Sequence, residues 1–196
     1  MKKPRFIRIS LIFACTFIFL GSTDVFCASL AEQLSSVKFI LPPPDSVQTQ
    51  TYLGLDDMKP FKVTDIRAKI AVIELMNTLC LPCQANAPIM NDVYKKIQAD
   101  SGLADVKVIV VAISDSKSNV ETFEKQCKTL FPILPDEDGQ IARSMPDLTI
   151  PTTVVVSTGD AKVLFTHKGP IADAEGFVKQ LKFVKQLEAW DKGKSQ

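Results

Sequence analysis

Residues 69–90 read "KIAVIELMNTLCLPCQANAPIM", and the fold turns on this stretch. Lys69 to Met76 is a dense apolar run, long enough for a central strand covered on both faces. From Leu81 to about Asp100 the spacing becomes helical, with Pro88 inside it as a kink. Cys80 and Cys83 stand between strand and helix. In open α/β sheets, that end of a strand is where sites form. A cysteine pair there can hold a metal, close a structural disulfide, or exchange electrons with other proteins.

Working outward, "VKVIVVAIS" (106–114) reads as a second buried strand. Helical spacing returns after Ser118, which makes a capping box with Glu121. Val120, Phe123, Cys127 and Leu130 fall on one face of that helix. "PDEDGQIARSM" (135–145) predicts a turn and a short helix. "TTVVVSTGDAKVLFTHKG" (152–169) predicts two β runs joined across a Gly-Asp turn. A last helix starts near Asp173, with Phe177, Leu181, Val184 and Leu187 as its apolar stripe. On the N-terminal side, "YLGLDDMKPFKVTDI" (52–66) alternates around an Asp-rich turn and suggests a small hairpin. Residues 32–50, with three consecutive prolines, read as a linker or extended arm. The tail, 191–196, is expected to fray. Strand–helix alternation with a late hairpin gives an α/β domain over 51–190: a central mixed sheet, helices on both faces and an N-terminal β extension.

The chain has 196 residues, 46% hydrophobic and 23% charged, which suits one domain plus a leader. The net charge of +1 gives no reason to expect a nucleic-acid partner. Residues 1–31 form that leader and read as an export signal. A basic start, "MKKPRFIR", precedes the apolar run "ISLIFACTFIFL" and then small and polar residues. The run is shorter than the ~20 residues a membrane-spanning helix needs, so cleavage is expected. Retention as an anchor is the alternative. Without the leader, 19 of the 23 basic and 21 of the 22 acidic residues remain, a net charge of −2. The exported chain then keeps Cys80, Cys83 and Cys127. Three cysteines do not make a staple framework; they suggest a working pair and a bystander.

Cys80 would lie at a helix start, where unsatisfied N–H groups and the dipole favour an anion and lower a thiol's pKa. Cys83, one turn on, can close a disulfide with it and is more buried. One thiol attacks and the other resolves. Pro82 restricts the loop and biases Leu81 away from helical geometry. Zinc wants four ligands, and only Cys127 and His167 remain to supply two more; no metal is expected. A purely structural disulfide across so small a loop gains little chain entropy. Cys127, on an apolar stripe, reads as an inert buried thiol, and His167 receives no role. The sequence carries no sign of a cofactor.

The chain from about residue 52 to 187 resembles the thioredoxin superfamily, and most closely its exported, TlpA-like branch of redoxin-type thiol–disulfide oxidoreductases. "CLPC" matches the family's C-x-P-C, and Pro88 matches the proline of the active-site helix. "LTIPTTVVVSTGDAKVLFTHKG" (148–169) matches its Ile-Pro-Thr segment, strand pair and glycine. The resemblance implies Cys80 as nucleophile and Cys83 as resolving thiol. It implies a cis Ile150–Pro151 bond beside the pair, exposing the backbone of Ile150 so that a substrate segment can pair with it. Glu74, six positions before Cys80, stands where thioredoxin-like proteins often carry a buried acid. Strand alternation puts it on the face beneath the active-site helix. A carboxyl there would have a raised pKa and could take or return the proton of Cys83; the alternative is a solvated carboxylate at a sheet edge. The partners implied are cysteine-containing client proteins, apocytochromes among them, and a membrane redox partner that recharges the dithiol.

Three features depart from the family's pattern. Leu79 replaces the aromatic residue common before the first cysteine. Asn86 stands where exported reductases often carry Glu. Leu81–Pro82 is neither thioredoxin's pair nor the His-containing pair of strong oxidants. Reduction is the commoner role of the branch, and Ile150 leans the same way. Two other classes compete: a thiol peroxidase, whose pattern has Thr where this chain has Asn77, and a binding module or redox-linked chaperone without turnover.

Overall fold

The computed structural model describes residues 40–194. The proposed leader (1–31), residues 32–39 of the arm, and Ser195 and Gln196 lie outside the described residues. The main sheet is built on β3 (Ile70–Met76), all seven residues of which are buried. It pairs in parallel with β4 (Val106–Ile113), which pairs in parallel with β5 (Ile133–Asp136). On its other side β3 runs antiparallel to β6 (Thr152–Ser157), which forms a hairpin with β7 (Val163–Lys168). The order β5-β4-β3-β6-β7 puts β3 in the middle, as its unbroken apolar run requires.

Alternation along β3 divides the core in two. Ile70, Val72 and Met76 face α2 (Leu81–Ala99), α3 (Lys117–Cys127) and α5 (Ala174–Lys194) through Met90, Phe123 and Phe177. Ala71, Ile73 and Leu75 face Leu53 of α1 (Val47–Leu53), Ile141 of α4 (Gln140–Ser144), and Phe61. Each fully buried Ile, Leu or Phe contributes roughly 1.5–3 kcal/mol. Glu74, at an even step from Val72 and Met76, belongs to the first face. This is the α/β sandwich expected, with an N-terminal strand pair, β1 (Ile40–Leu41) against β2 (Phe61–Lys62).

Several local expectations change. Residues 40–50 are not simply an arm: they hold β1, the prolines and the start of α1. Ser46 caps α1 by accepting from Thr49 N–H, and Gly54, at φ 72°, ends it in the left-handed region. The hairpin expected over 52–66 is instead the end of α1, a turn and β2, whose partner is β1. Strand β5 was not expected: Ile133 and Leu134 fall in no predicted element, and Pro135 and Asp136 at the start of a predicted turn; four residues with a proline leave too little alternation to signal it. The cap of α3 is Ser116, which accepts from Asn119 N–H, so Ser118 is already helical. Leu130 lies beyond that helix, 47% exposed. In α5, Leu187 turns outward and Glu188 inward, where Lys162 and Lys192 pair with it; the stripe stops with the core near Leu181. That helix also continues through Lys194, past the expected start of fraying. Among the described residues no helix is long and apolar enough to cross a membrane.

Candidate active site

The carboxyl end of β3 runs into a four-residue loop, 77–80, held by side chains. Asn77 follows the strand and makes an Asx turn: its Oδ1 accepts from Leu79 N–H at 2.9 Å. Its Nδ2 donates to Ile113 O at 2.9 Å, tying the loop to the end of β4. Buried Asp115 accepts from Thr78 N–H at 2.7 Å, and Gln84 Nε2 donates to Thr78 O at 2.8 Å. Sequence reasoning assigned none of these tethers. The signal was an Asn two residues before an apolar position at a strand end, and Asn77 entered only as a departure from the peroxidase pattern.

Cys80 is the N-cap of α2, in extended conformation at φ −77° and ψ 111°. Its sulfur therefore sits at the positive end of a 19-residue helix dipole. Leu81 is the first helical residue and Pro82 lies in the first turn, contrary to the expected bias of Leu81. The absent N–H of a proline costs nothing there, because the first N–H groups have no intrahelical partner. Pro88 is exposed, and α2 runs through it unbroken. The two cysteines are joined as a disulfide with Cα atoms 5.2 Å apart. Cys83 is 2% exposed; Cys80 is half-buried, with exposed leucines on either side.

Glu74 is not at a solvated edge. It is 3% exposed, and its carboxyl is pushed up to about 7 by burial, against the opposing effect of a hydrogen bond from Asn86. That bond, Asn86 Nδ2 to Glu74 Oε1, is 2.8 Å long and wholly buried. The bond from Ile150 to Pro151 is cis. In the β3–β6 register Leu75 faces Thr152, so one further step brings Pro151 level with Met76, at the same sheet end as the cysteine loop. Pro151 is buried and Ile150 half-buried against the cluster that also packs Cys80. Cys127 is free and half-buried, its thiol pushed up by burial. His167 lies on edge strand β7, its Nε2–H donating to Pro170 O at 3.1 Å. Among the described residues no group of His, Cys, Asp and Glu could hold a metal ion.

The AhpC/TSA family profile matches residues 44–162, which span β3, the cysteine pair and β6. The chain belongs to the AhpC/TSA family. The chain is 25% identical over 180 residues to the thiol-disulfide oxidoreductase ResA of Bacillus subtilis, covering 89% of this chain and 91% of that one. It is 29% identical over 106 residues to the ResA of Geobacillus thermodenitrificans, covering 54% of this chain but 59% of the relative's length. Two further ResA relatives are likewise matched over 61% of their length. Among solved structures, a thiol:disulfide interchange protein of the thioredoxin family from Chlorobium tepidum superposes with a TM-score of 0.52 at 20% identity, covering 74% of this chain and 97% of that one. StoA from Bacillus subtilis gives 0.54 at 20% identity, over 76% of this chain and 98% of its own. These two structures bear on the fold, which is thioredoxin-like.

Proposed function

We propose that this chain is an exported thiol–disulfide oxidoreductase that exchanges electrons with cysteine-containing proteins through Cys80 and Cys83, working as a reductant. The observation that carries the reading is the pairing of a helix-capping Cys80 with a buried Cys83 above a buried acid, at the sheet end shared with Ile150–Pro151. The leader pattern in residues 1–31 supports export, and the ResA relatives support the activity.

In the reduced form the thiolate of Cys80, favoured by the N–H groups of α2, attacks one sulfur of a client disulfide. A mixed disulfide forms and one client sulfur leaves as a thiolate. Glu74, as carboxylate, takes the proton of Cys83. The Cys83 thiolate attacks the Cys80 sulfur, closing Cys80–Cys83 and releasing the second client thiolate. Two electrons pass to the client and one disulfide is exchanged for another. A membrane-bound dithiol partner then returns the pair to the reduced state. Ile150, ahead of Pro151, supplies backbone for a client segment to pair with. Apocytochromes, whose cysteines must be reduced before use, are clients of the right chemistry.

The direction is tested by equilibrating the protein in graded redox buffers and trapping its thiols. A potential near the ~−270 mV of thioredoxin is expected of a reductant. A value near the ~−120 mV of the strongest oxidants would make the chain a disulfide donor. Failure of the pair to interconvert at any poise removes the enzyme reading and leaves a binding module.

A further inference from the structure

Glu74 is held by a residue that the sequence marked only as a departure from the family pattern. Asn86 lies on α2, three residues beyond Cys83 and so about one turn along. It is 0% exposed, and both ends of its amide are engaged. Oδ1 accepts from Ile171 N–H at 2.8 Å, and Nδ2 donates to Glu74 Oε1 at 2.8 Å. The two ends of an amide are told apart by their partners. A backbone N–H can only donate, so Oδ1 must face Ile171 and only N–H is left for Glu74.

The group that orients Asn86 is itself anchored. The peptide unit that carries Ile171 N–H also carries Pro170 O, which accepts from His167 Nε2–H. One residue earlier, Gly169 N–H donates to Pro151 O at 2.8 Å. Helix α2, the buried acid, the 169–171 loop and the cis-proline segment are thus joined, with Asn86 at the crossing.

We propose that Asn86 is the positioning residue of the buried acid: it holds Glu74 as a hydrogen-bonded carboxylate beneath α2 and couples it to the cis-proline loop. This rests on the base role given to Glu74 above. Burial alone favours the protonated acid, which cannot take a proton from Cys83. A donor that can only donate favours the carboxylate, and the balance leaves a group able both to take a proton and to return it near neutral pH. Competing influences are few. At the level of Glu74 the neighbouring strands offer Val110 and Thr153. The buried hydroxyl of Thr153 has no hydrogen-bond partner. His167 lies beyond Thr153 in the same cross-strand row. Helix α2 contributes the Cys83 sulfur, here in the disulfide, while α3 and α5 present Val120, Phe123, Phe177, Val178 and Leu181 to this face.

The test compares the full chain with Glu74→Gln, Asn86→Leu and Asn86→Asp. The readout is the rate of exchange with a small aromatic disulfide across neutral pH. Glu74→Gln should remove the inflection that Glu74 contributes. Asn86→Leu, which lacks the donor, should move it up by about one pH unit or more. Asn86→Asp, nearly isosteric, should move it at least as far, because two carboxyl groups then compete for one proton. In the unaltered protein the side-chain amide protons of Asn86 should titrate together with Glu74, and in Glu74→Gln they should not. This arm stands even where a substitution at 86 prevents folding. Folded Asn86 variants with the original inflection, or amide protons blind to Glu74, overturn the proposal. If Glu74→Gln keeps the inflection, the base role itself falls, and that outcome is distinct from the others.

Discussion

The outward and inward sides of the start of α2 are built on opposite terms. Outward, Leu79 and Leu81 are 78% and 75% exposed beside a half-buried sulfur, and the loop is fixed mostly through backbone bonded to Asn77, Asp115 and Gln84. Inward, Cys83, Asn86 and Glu74 put a sulfur, an amide and a carboxyl among hydrocarbon side chains. A charge outward is screened by water; the same charge inward is screened less and felt more strongly by its neighbours. The outward side is suited to meeting a client and the inward side to controlling a proton.

The largest effects should separate the two sulfurs. Cys80→Ser should reduce exchange to the uncatalysed background. Cys83→Ser should leave the first attack intact and stall the protein as a mixed disulfide, visible by mass spectrometry of the unreduced product. Normal turnover by Cys83→Ser would break the division into an attacking and a resolving side.

The next effect concerns the acid. Glu74 in the folded chain titrates near 7, above its ordinary 4.5, so between those values the folded state binds more protons than the unfolded one. Its contribution to stability is therefore full below about pH 4.5 and is lost as pH rises through 7. Glu74→Gln lacks this dependence. The stability of the parent relative to Glu74→Gln should fall by about 3 kcal/mol between pH 4.5 and 8. Parallel urea midpoints for the two proteins across that range would place Glu74 in a wetter setting than the inward side.

Much of this was legible in the sequence, for reasons that also mark its limit. The apolar run 70–76 and the helical spacing after Leu81 are strong local signals, and they place Cys80 and Cys83 without help from the rest of the chain. Glu74 could be read because a lone carboxyl in such a run has to be accounted for. Asn86 could not, since its meaning lies in Ile171, 85 positions away, and a hydrogen bond of that span leaves no periodicity. The same holds for Asn77 with Ile113, and for β1 with β2, two-residue strands that exist only as a pair. Leu81 was misjudged because the residue before a proline is restricted, yet the first turn of a helix admits both. Glu188 was missed because Lys162 and Lys192, which keep it inward, belong to the turn after β6 and the next turn of its own helix.

The smallest effect should come from the outward leucines, and it sharpens the comparison most. Leu79→Gln and Leu81→Gln remove exposed hydrocarbon without opening a cavity, so stability should move by no more than about 0.5 kcal/mol. Both side chains are mostly exposed while the acid is buried, so the pH profile should keep its shape. What they can lose is contact with a protein client: burying part of a leucine there is worth about 1 kcal/mol, or roughly fivefold in KM. A small aromatic disulfide, too small to cover both leucines, should lose less. A rise in KM confined to protein clients would make the outward side a recognition surface that acts independently of proton control. A change in the pH profile instead would mean that the two sides communicate through the helix start, with Cys80 shared between them.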